Sequence, residues 1–175
     1  TLDGRHYQVD GAIGRPLPLQ EGGIPLWIAG GGEKKTLRIA AKYARYTNFL
    51  GTAETFQHKS EILAAHCQDV GTDFDAITRS TNYNVVIGQT EQDVRDRLAW
   101  IRSHYEPLLP AEVVDSAMKQ FNEGQLTGTP EKLVERLTEM RKLGLTYTIT
   151  YFPEAAYDRS GIELFAKEVV PALAD

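Results

Sequence analysis

Three consecutive glycines followed by two lysines are the residues whose types and spacing most clearly suggest chemistry in this sequence. The segment 24–36 reads IPLWIAGGGEKKT, in which an apolar run precedes Gly30, Gly31, Gly32, Glu33, Lys34 and Lys35. This order predicts a buried strand, a glycine turn and the start of a helix. Bare backbone N–H groups and the positive end of a helix dipole attract anions, and glycine lets an anion approach the backbone closely. The segment therefore suggests a phosphate site.

The glycine turn matches neither of the two best-known phosphate-binding motifs. The dinucleotide fingerprint G-x-G-x-x-G needs a third glycine where Lys35 stands, and a P-loop needs a glycine where Lys34 stands. The residues alone therefore leave two interpretations open. One is a general phosphate cradle, and the other is a tight turn that carries two exposed lysines.

Polar residues after the second predicted strand form a further group of candidates. Asn48 and Thr52 lie where a second parallel strand would meet the same edge of the sheet, so both are candidate substrate contacts. Thr52 also fits the N-cap of the next helix, which is the commoner role of such a threonine. Lys59, near the start of that helix, is the cation there that can reach a ligand at this edge.

Histidine and cysteine on the same helix raise the question of a metal site. His66 and Cys67 are adjacent, so their side chains point in different directions, and the sequence brings no further ligands towards them. A packed or solvated helix explains them better, and we predict no metal ligand. We expect Trp27 and Trp100 to lie in the core. The sequence has no local signature of a catalytic nucleophile or of paired carboxylates, and we predict no catalytic residue.

Strands and helices alternate along the chain, which predicts an α/β fold with a parallel sheet. A complete eight-stranded barrel needs roughly 250 residues, whereas this chain has 175. Four strand–helix units therefore form either a small open sheet or half of such a barrel. The predicted strands are 25–29, 46–50, 77–88 and 145–152, and the predicted helices are about 33–46, 53–70, 91–101, 111–121, 130–143 and 161–170.

We expect a single domain over residues 1–175. The chain begins with Thr1 rather than methionine and reads there like the middle of a β-structure, so we also expect it to be a piece of a longer protein. Pro107, Pro110 and Gly124 bracket an inserted helix. The expected divisions are an irregular lead-in (1–23), three strand–helix units (24–103), a helical insertion (104–127) and the last unit with its closing helix (128–175).

Composition and charge narrow the class of protein. The net charge of −5 and the lack of a basic run argue against a nucleic-acid partner. The single cysteine excludes an internal disulfide and fits a reducing compartment. No apolar segment approaches the roughly 18 residues of a membrane span. We therefore expect a cytoplasmic protein with neither a nucleic-acid nor a membrane partner.

Several segments resemble the latter half of the luciferase-like monooxygenases. The segments are PLWIAGGG (25–32), AAKYA (40–44), the pair Asn48-Phe49, and GTPEKLVERL (128–137). The resemblance is greatest to bacterial members that depend on coenzyme F420, a deazaflavin. The stretch 58–80 resembles that branch more than the branch that uses flavin mononucleotide (FMN).

The resemblance implies a fold and a set of site residues. The fold is the C-terminal half of a (β/α)8 TIM barrel, with strands five to eight and a helical insertion before the last unit. The loop after strand five holds the cofactor phosphate, and Thr52 falls where some relatives contact substrate. The family's proton donors come from strands one to four, which this chain lacks. By resemblance the cofactor-binding residues are Gly30, Gly31, Gly32, Glu33, Lys34 and Lys35.

The function predicted from this resemblance is that of a fragment of an F420-dependent oxidoreductase. The fragment provides the phosphate-binding half of the barrel for hydride transfer to or from a small-molecule substrate. One alternative is an FMN-dependent monooxygenase, and another is a non-catalytic half-barrel that associates with itself. In each case an open half-barrel should pair with its missing N-terminal half or with a second copy, so we expect a homo-oligomer or a larger assembly.

Overall fold

A parallel β-sheet forms the centre of the structure, a computed structural model that describes residues 1–123 and 125–174. Gly124, predicted to bracket the inserted helix, and Asp175, the last residue of the predicted final unit, lie outside the described residues. The strands are β1 (Leu2–Asp3), β2 (Gln8–Val9), β3 (Trp27–Ala29), β4 (Tyr46–Asn48), β5 (Thr78–Ile87), β6 (Leu126–Gly128) and β7 (Tyr147–Tyr151).

The long strand β5 organises the sheet. Its residues 78–80 pair with β4, 80–84 with β7 and 85–87 with β6, and all of these pairings are parallel. Strand β3 pairs with the other side of β4, while β1 and β2 form a separate antiparallel hairpin. Because β3, β4, β5 and β7 are parallel, their carboxyl ends lie along one edge of the sheet, which we call the carboxyl edge.

Helices follow the strands, and several carry the predicted start and stop signals. The Thr52 hydroxyl accepts the N–H of Thr55 at the start of α2, and Gly71 ends that helix with a φ of +75°. Among the described residues, no helix is both long and apolar enough to cross a membrane. The helices are α1 (Thr36–Tyr43), α2 (Ala53–Val70), α3 (Glu91–Tyr105), α4 (Ala111–Glu123), α5 (Pro130–Lys142), α6 (Ser160–Leu164) and α7 (Val170–Ala172), with a π-helical turn at Phe165–Val169.

The four predicted parallel strands are confirmed as β3, β4, β5 and β7. Strand β6 was not predicted. Its three residues lie at the boundary between the predicted helical insertion (104–127) and the predicted last unit (128–175). The first helix was also placed too early. It begins at Thr36 rather than near Glu33, because the N–H of Leu37 donates to Gly32 O and residues 33–35 form a turn.

The hydrophobic core forms two clusters between the sheet and the helices. The main cluster joins β5 to α1, α2 and α5 through residues such as Leu37, Leu63, Val85 and Leu133. A smaller cluster packs Val86 against α3 and α4. The face of the sheet opposite the main cluster carries the exposed side chains of Trp27 and Tyr147, and we call it the open face.

Trp27 was expected in the core, and this prediction was wrong. The side chain is 41% exposed on the open face. It stacks on Tyr46 with ring centroids 4.8 Å apart and meets Tyr147 edge-on at 5.3 Å. The apolar run that contains Trp27 indicates a strand but not whether both of its faces are covered. Trp100 is half-buried and stacks on His104 at 3.7 Å.

Candidate functional site

The glycine turn follows β3 at the carboxyl edge and is tied to the end of β4. Gly30 has a φ of +114°, a conformation that favours glycine, and its N–H donates to Asn48 O at 2.7 Å. A Cβ on Gly32 would lie 2.8 Å from Thr36 Oγ1, so glycine is needed there as well. A Cβ on Gly31 would lie 3.4 Å from Cε of Lys59. The turn is therefore shaped by its three glycines and bordered by a lysine of α2.

The backbone of this turn presents unused hydrogen-bond donors. Within the described residues, none of the N–H groups of residues 31–35 donates to a backbone or side-chain acceptor. The first turn of α1 also has no acidic residue and no side-chain cap. Unpaired N–H groups next to a helix N-terminus are the chemical basis of anion sites in proteins.

Lys59 and Glu33 form an ion pair beside the turn. Lys59 Nζ donates to Glu33 Oε1 at 2.5 Å, and His58 Nε2 lies 3.3 Å from the same oxygen. The lysine side chain is 17% exposed and passes over Gly31. The hydrogen bond and the charge of Lys59 lower the pKa of the Glu33 carboxyl, and the desolvation of Glu33 opposes this shift. A cation thus lies against the glycine turn, held by an internal carboxylate.

The two lysines of the motif take a different position. Lys34 and Lys35 are exposed and line a basic surface depression together with Arg38 and Lys42 of α1. The structure therefore brings Gly31, Glu33 and Lys59 together and directs the lysine pair along the flank of α1. The contact between Glu33 and Lys59 spans 26 positions. Sequence reasoning had placed Lys59 with the substrate candidates rather than with the turn.

Asn48 lies at the carboxyl end of β4 and is only 8% exposed. Its Nδ2 donates to Ser80 Oγ at 2.9 Å and to Asn82 Oδ1 at 2.8 Å. Ser80 and Asn82 were not predicted as site residues. The available signal was the polar alternation at Ser80, Asn82 and Asn84 within a strand, which places polar side chains on one face of β5.

Thr52 and His66 have partners within the fold. The Thr52 hydroxyl serves as the N-cap of α2, and the residue borders a depression between α2 and α5. His66 Nε2 donates to the backbone carbonyl of Glu33 at 2.8 Å, and Cys67 is buried. In the parts of the chain that the structure describes, no three His, Cys, Asp or Glu side chains converge on a possible metal position.

A family model described as luciferase-like monooxygenase matches residues 1–147, which include β3, the glycine turn, β4 and β5. The chain belongs to the luciferase-like monooxygenase family. No curated protein matches this luciferase-like chain.

Solved structures of similar fold include an F420-dependent secondary alcohol dehydrogenase in complex with an F420–acetone adduct. It is 19% identical, with a TM-score of 0.73, and the match covers 100% of this chain and 56% of that one. A long-chain alkane monooxygenase is 17% identical, with a TM-score of 0.75 and coverage of 99% and 46%. A riboflavin lyase with modified FMN and riboflavin is 15% identical, with a TM-score of 0.72 and coverage of 99% and 47%.

These likenesses bear on the fold of the luciferase-like chain. They match its parallel sheet and surrounding helices in full, and the chain spans about half the length of the solved relatives. The relatives include an enzyme described with F420 and one described with FMN. Sequence identity of this order shows the shared fold and leaves the choice of cofactor to the residues of the site.

Proposed function

We propose that this chain forms the cofactor-phosphate-binding part of an F420-dependent luciferase-like oxidoreductase. The observation that carries the proposal is the set of unpaired N–H groups at residues 31–35, which lie beside the ammonium group of Lys59. A bound deazaflavin would supply the hydride-transfer chemistry, and the protein would supply binding and orientation.

The turn fits a phosphate group in shape and in charge. Glycine at position 31 leaves room for the Lys59 side chain to pass close to the turn, since a Cβ there would lie 3.4 Å from Lys59 Cε. Lys59 adds a positive charge at the same place, and a charge-assisted hydrogen bond to phosphate is roughly twice as strong as a neutral one. Lys34 and Lys35 contribute a longer-range positive potential from the flank of α1.

Glu33 has a defined place in this proposal. In the chain without ligand its carboxylate holds Lys59 over Gly31. A phosphate that enters the turn competes with that carboxylate for the same ammonium group. Glu33 therefore pre-positions the lysine and also lowers the affinity for anions, since like charges close together repel each other.

We further propose that the open face is the interior of an eight-stranded barrel that a second component closes. Strands β3 and β7 are edge strands among the described elements, and unpaired edges favour pairing with another chain or segment. Trp27, Tyr147 and Tyr151 are exposed on the open face. The missing component is the N-terminal half of a longer protein or a second copy of the chain, and Thr52 remains a proposed substrate contact in the closed assembly.

Fluorescence titration of the chain with F420 and with FMN tests the cofactor proposal. We expect both to bind through their phosphates and F420 to bind more tightly, in line with the resemblance over residues 58–80. Tighter binding of FMN would favour the flavin-dependent monooxygenase instead. Binding of neither would favour the non-catalytic half-barrel.

The variant Gly31→Val tests whether the glycine backbone holds the phosphate. A larger side chain would fill the space between the turn and Lys59, so we expect the affinity for F420 to fall by about tenfold or more, the equivalent of one charge-assisted hydrogen bond. Gly14→Val is the matched control, because a Cβ on Gly14 meets nothing within 4 Å. Equal affinities of the two variants would contradict the phosphate role of the turn.

A further inference from the structure

The carboxyl edge holds a short relay of hydrogen bonds whose direction is fixed by its chemistry. Ser80 Oγ lies 2.8 Å from Thr47 O, a carbonyl that can only accept, so the serine proton is donated to it. Ser80 Oγ is then an acceptor towards Asn48, and Asn48 must present its Nδ2 to it at 2.9 Å. The second hydrogen on Asn48 Nδ2 goes to Asn82 Oδ1 at 2.8 Å.

The relay leaves one acceptor and one donor without partners. Because the amide nitrogen of Asn48 is committed twice, its Oδ1 faces away from Ser80 and has no hydrogen-bond partner among the described residues. Asn82 accepts from Asn48 through Oδ1, and its Nδ2 likewise has no partner within the described part of the chain. Asn48 as a residue is only 8% exposed, but its Oδ1 is not one of the fully buried side-chain atoms that lack a partner among the described residues, so this acceptor is accessible at the surface of the open face. An accessible free acceptor beside a free donor is available to a ligand.

The chemistry of the pair matches a hydroxyl group. A hydroxyl donates one hydrogen bond and accepts others, so one hydroxyl or two neighbouring ones can satisfy Asn48 Oδ1 and Asn82 Nδ2 together. The position of the pair specifies the ligand further. The main-chain carbonyl of Asn48 accepts the N–H of Gly30, the first residue of the proposed phosphate turn. A ligand whose phosphate lies in that turn brings its neighbouring atoms to Asn48.

We propose that Asn48 and Asn82 bind the hydroxyl groups of a phosphorylated polyol chain, next to its phosphate. The proposal rests on the proposed function, since both F420 and FMN carry a ribityl chain between the ring system and the phosphate. It moves Asn48 from a substrate contact to a contact with the cofactor tail. Ser80 is a positioning residue, because it acts by fixing the direction of the Asn48 amide.

Calorimetric titration with inorganic phosphate and with ribitol 5-phosphate separates this proposal from the proposed function. We expect ribitol 5-phosphate to bind about five- to tenfold more tightly, since one or two net hydrogen bonds are added. FMN should compete with ribitol 5-phosphate, because the two share the phosphorylated chain. Equal affinities for the two phosphates, or a lack of competition with FMN, would overturn the polyol contact and leave the phosphate site intact. Binding of neither phosphate would overturn the phosphate site itself.

Two variants test whether the relay is responsible. Asn82→Asp keeps the acceptor for Asn48 but replaces the free donor with an oxygen, and Asn48→Ala removes the free acceptor. We expect each to erase the preference for ribitol 5-phosphate over inorganic phosphate. The ratio of the two affinities is the readout, because added negative charge weakens both ligands alike.

Asn84→Asp is the matched control, since Asn84 lies two residues further along the same face of β5 and outside the relay. This variant should leave the ratio of the affinities for ribitol 5-phosphate and inorganic phosphate unchanged. Circular dichroism establishes that the variants fold. A preference that persists in both Asn82→Asp and Asn48→Ala, or that is lost equally in Asn84→Asp, would contradict the assignment.

Discussion

Two regions of the carboxyl edge differ in whether their backbone N–H groups and charged side chains have partners within the fold. At the ends of β3 and β4, the glycine turn leaves backbone donors unpaired beside Lys59. At the ends of β5 and β7, the carboxylate of Asp158 instead pairs with Ser160, the first residue of α6. Its Oδ1 accepts the Ser160 N–H, and its Oδ2 accepts the Ser160 hydroxyl, each at 2.8 Å.

The charged side chains of the second region also form ion pairs with one another. Arg97 Nη1 lies 3.1 Å from Glu154 Oε2 and 3.5 Å from Asp158 Oδ2. Arg97 Nη2 donates to Ser160 Oγ at 2.6 Å. Barrels commonly bind phosphate after strands seven and eight, which correspond to β5 and β7 in the proposed barrel. Here side-chain carboxylates occupy that place, and the open donors lie at β3 instead. An internal carboxylate thus pairs with the Ser160 N–H at the start of α6, whereas the N–H groups of residues 31–35 have no acceptor among the described residues.

The largest expected effect of this difference is on stability. The Arg97 and Glu154 side chains are 18% and 9% exposed, so Arg97→Met leaves a largely buried carboxylate without its partner. We expect the free energy of unfolding, measured with urea, to fall by about 2–4 kcal/mol. Arg102→Met is the control, because its ion pairs are exposed and it should change stability little. Equal losses in the two variants would show that the second region is not a structural ion cluster.

An effect on affinity is expected in the first region. Lys59→Met removes the cation beside the glycine turn and should weaken phosphate binding about tenfold, as for one charge-assisted hydrogen bond. Lys42→Met removes the same charge from an exposed position on α1 and serves as the control. If both variants weaken binding equally, the effect is one of net charge and not of a local site.

A smaller effect of opposite sign is expected at Glu33. Glu33→Gln removes the carboxylate that competes for Lys59, so phosphate affinity should rise about two- to threefold, the scale of an exposed ion pair. Calorimetry of the two proteins side by side measures the change. A fall in affinity would mean that Glu33 positions Lys59 more than it competes with the ligand.

The smallest expected effect concerns acid stability in the second region. The Ser160 N–H and hydroxyl, the principal causes, hold the pKa of Asp158 below its ordinary value of 3.8. A carboxyl with a lowered folded-state pKa stabilises the fold above its unfolded pKa, and this contribution is lost as the pH falls through the folded value. The melting temperature of Asp158→Asn should therefore fall less than that of the parent between neutral pH and about pH 3. Parallel curves for the two proteins would contradict a stabilising role of the contacts between Asp158 and Ser160.

The order of strands and helices was predicted well from the sequence, whereas the burial of each face of the sheet was predicted poorly. Apolar segments that alternate with segments of helical periodicity located β3, β4, β5 and β7. This pattern is visible in the sequence because the strands pack against the helices. It failed for Trp27, because a short apolar strand looks the same whether one face or both are buried. Strand β6 was missed since three residues carry too little pattern.

The site was predicted in part for a different reason. Local spacing identified the glycine turn, because backbone donors and glycines are adjacent in sequence. The contact of Lys59 with Glu33 and the relay from Asn48 to Asn82 join residues 26 and 34 positions apart. Such contacts depend on the packing of α2 and on strand register, which no local motif contains. The sequence therefore located the glycine turn but not the side chains that lie beside it.

The central claim is that the N–H groups of residues 31–35 receive a phosphate and that the start of α6 does not. Titration of the 15N-labelled chain with inorganic phosphate, followed by amide chemical shifts, tests both halves of this claim at once. We expect saturable shifts at residues 31–35 and no comparable shift at Ser160. Saturable shifts at Ser160 with none in the glycine turn would contradict the account.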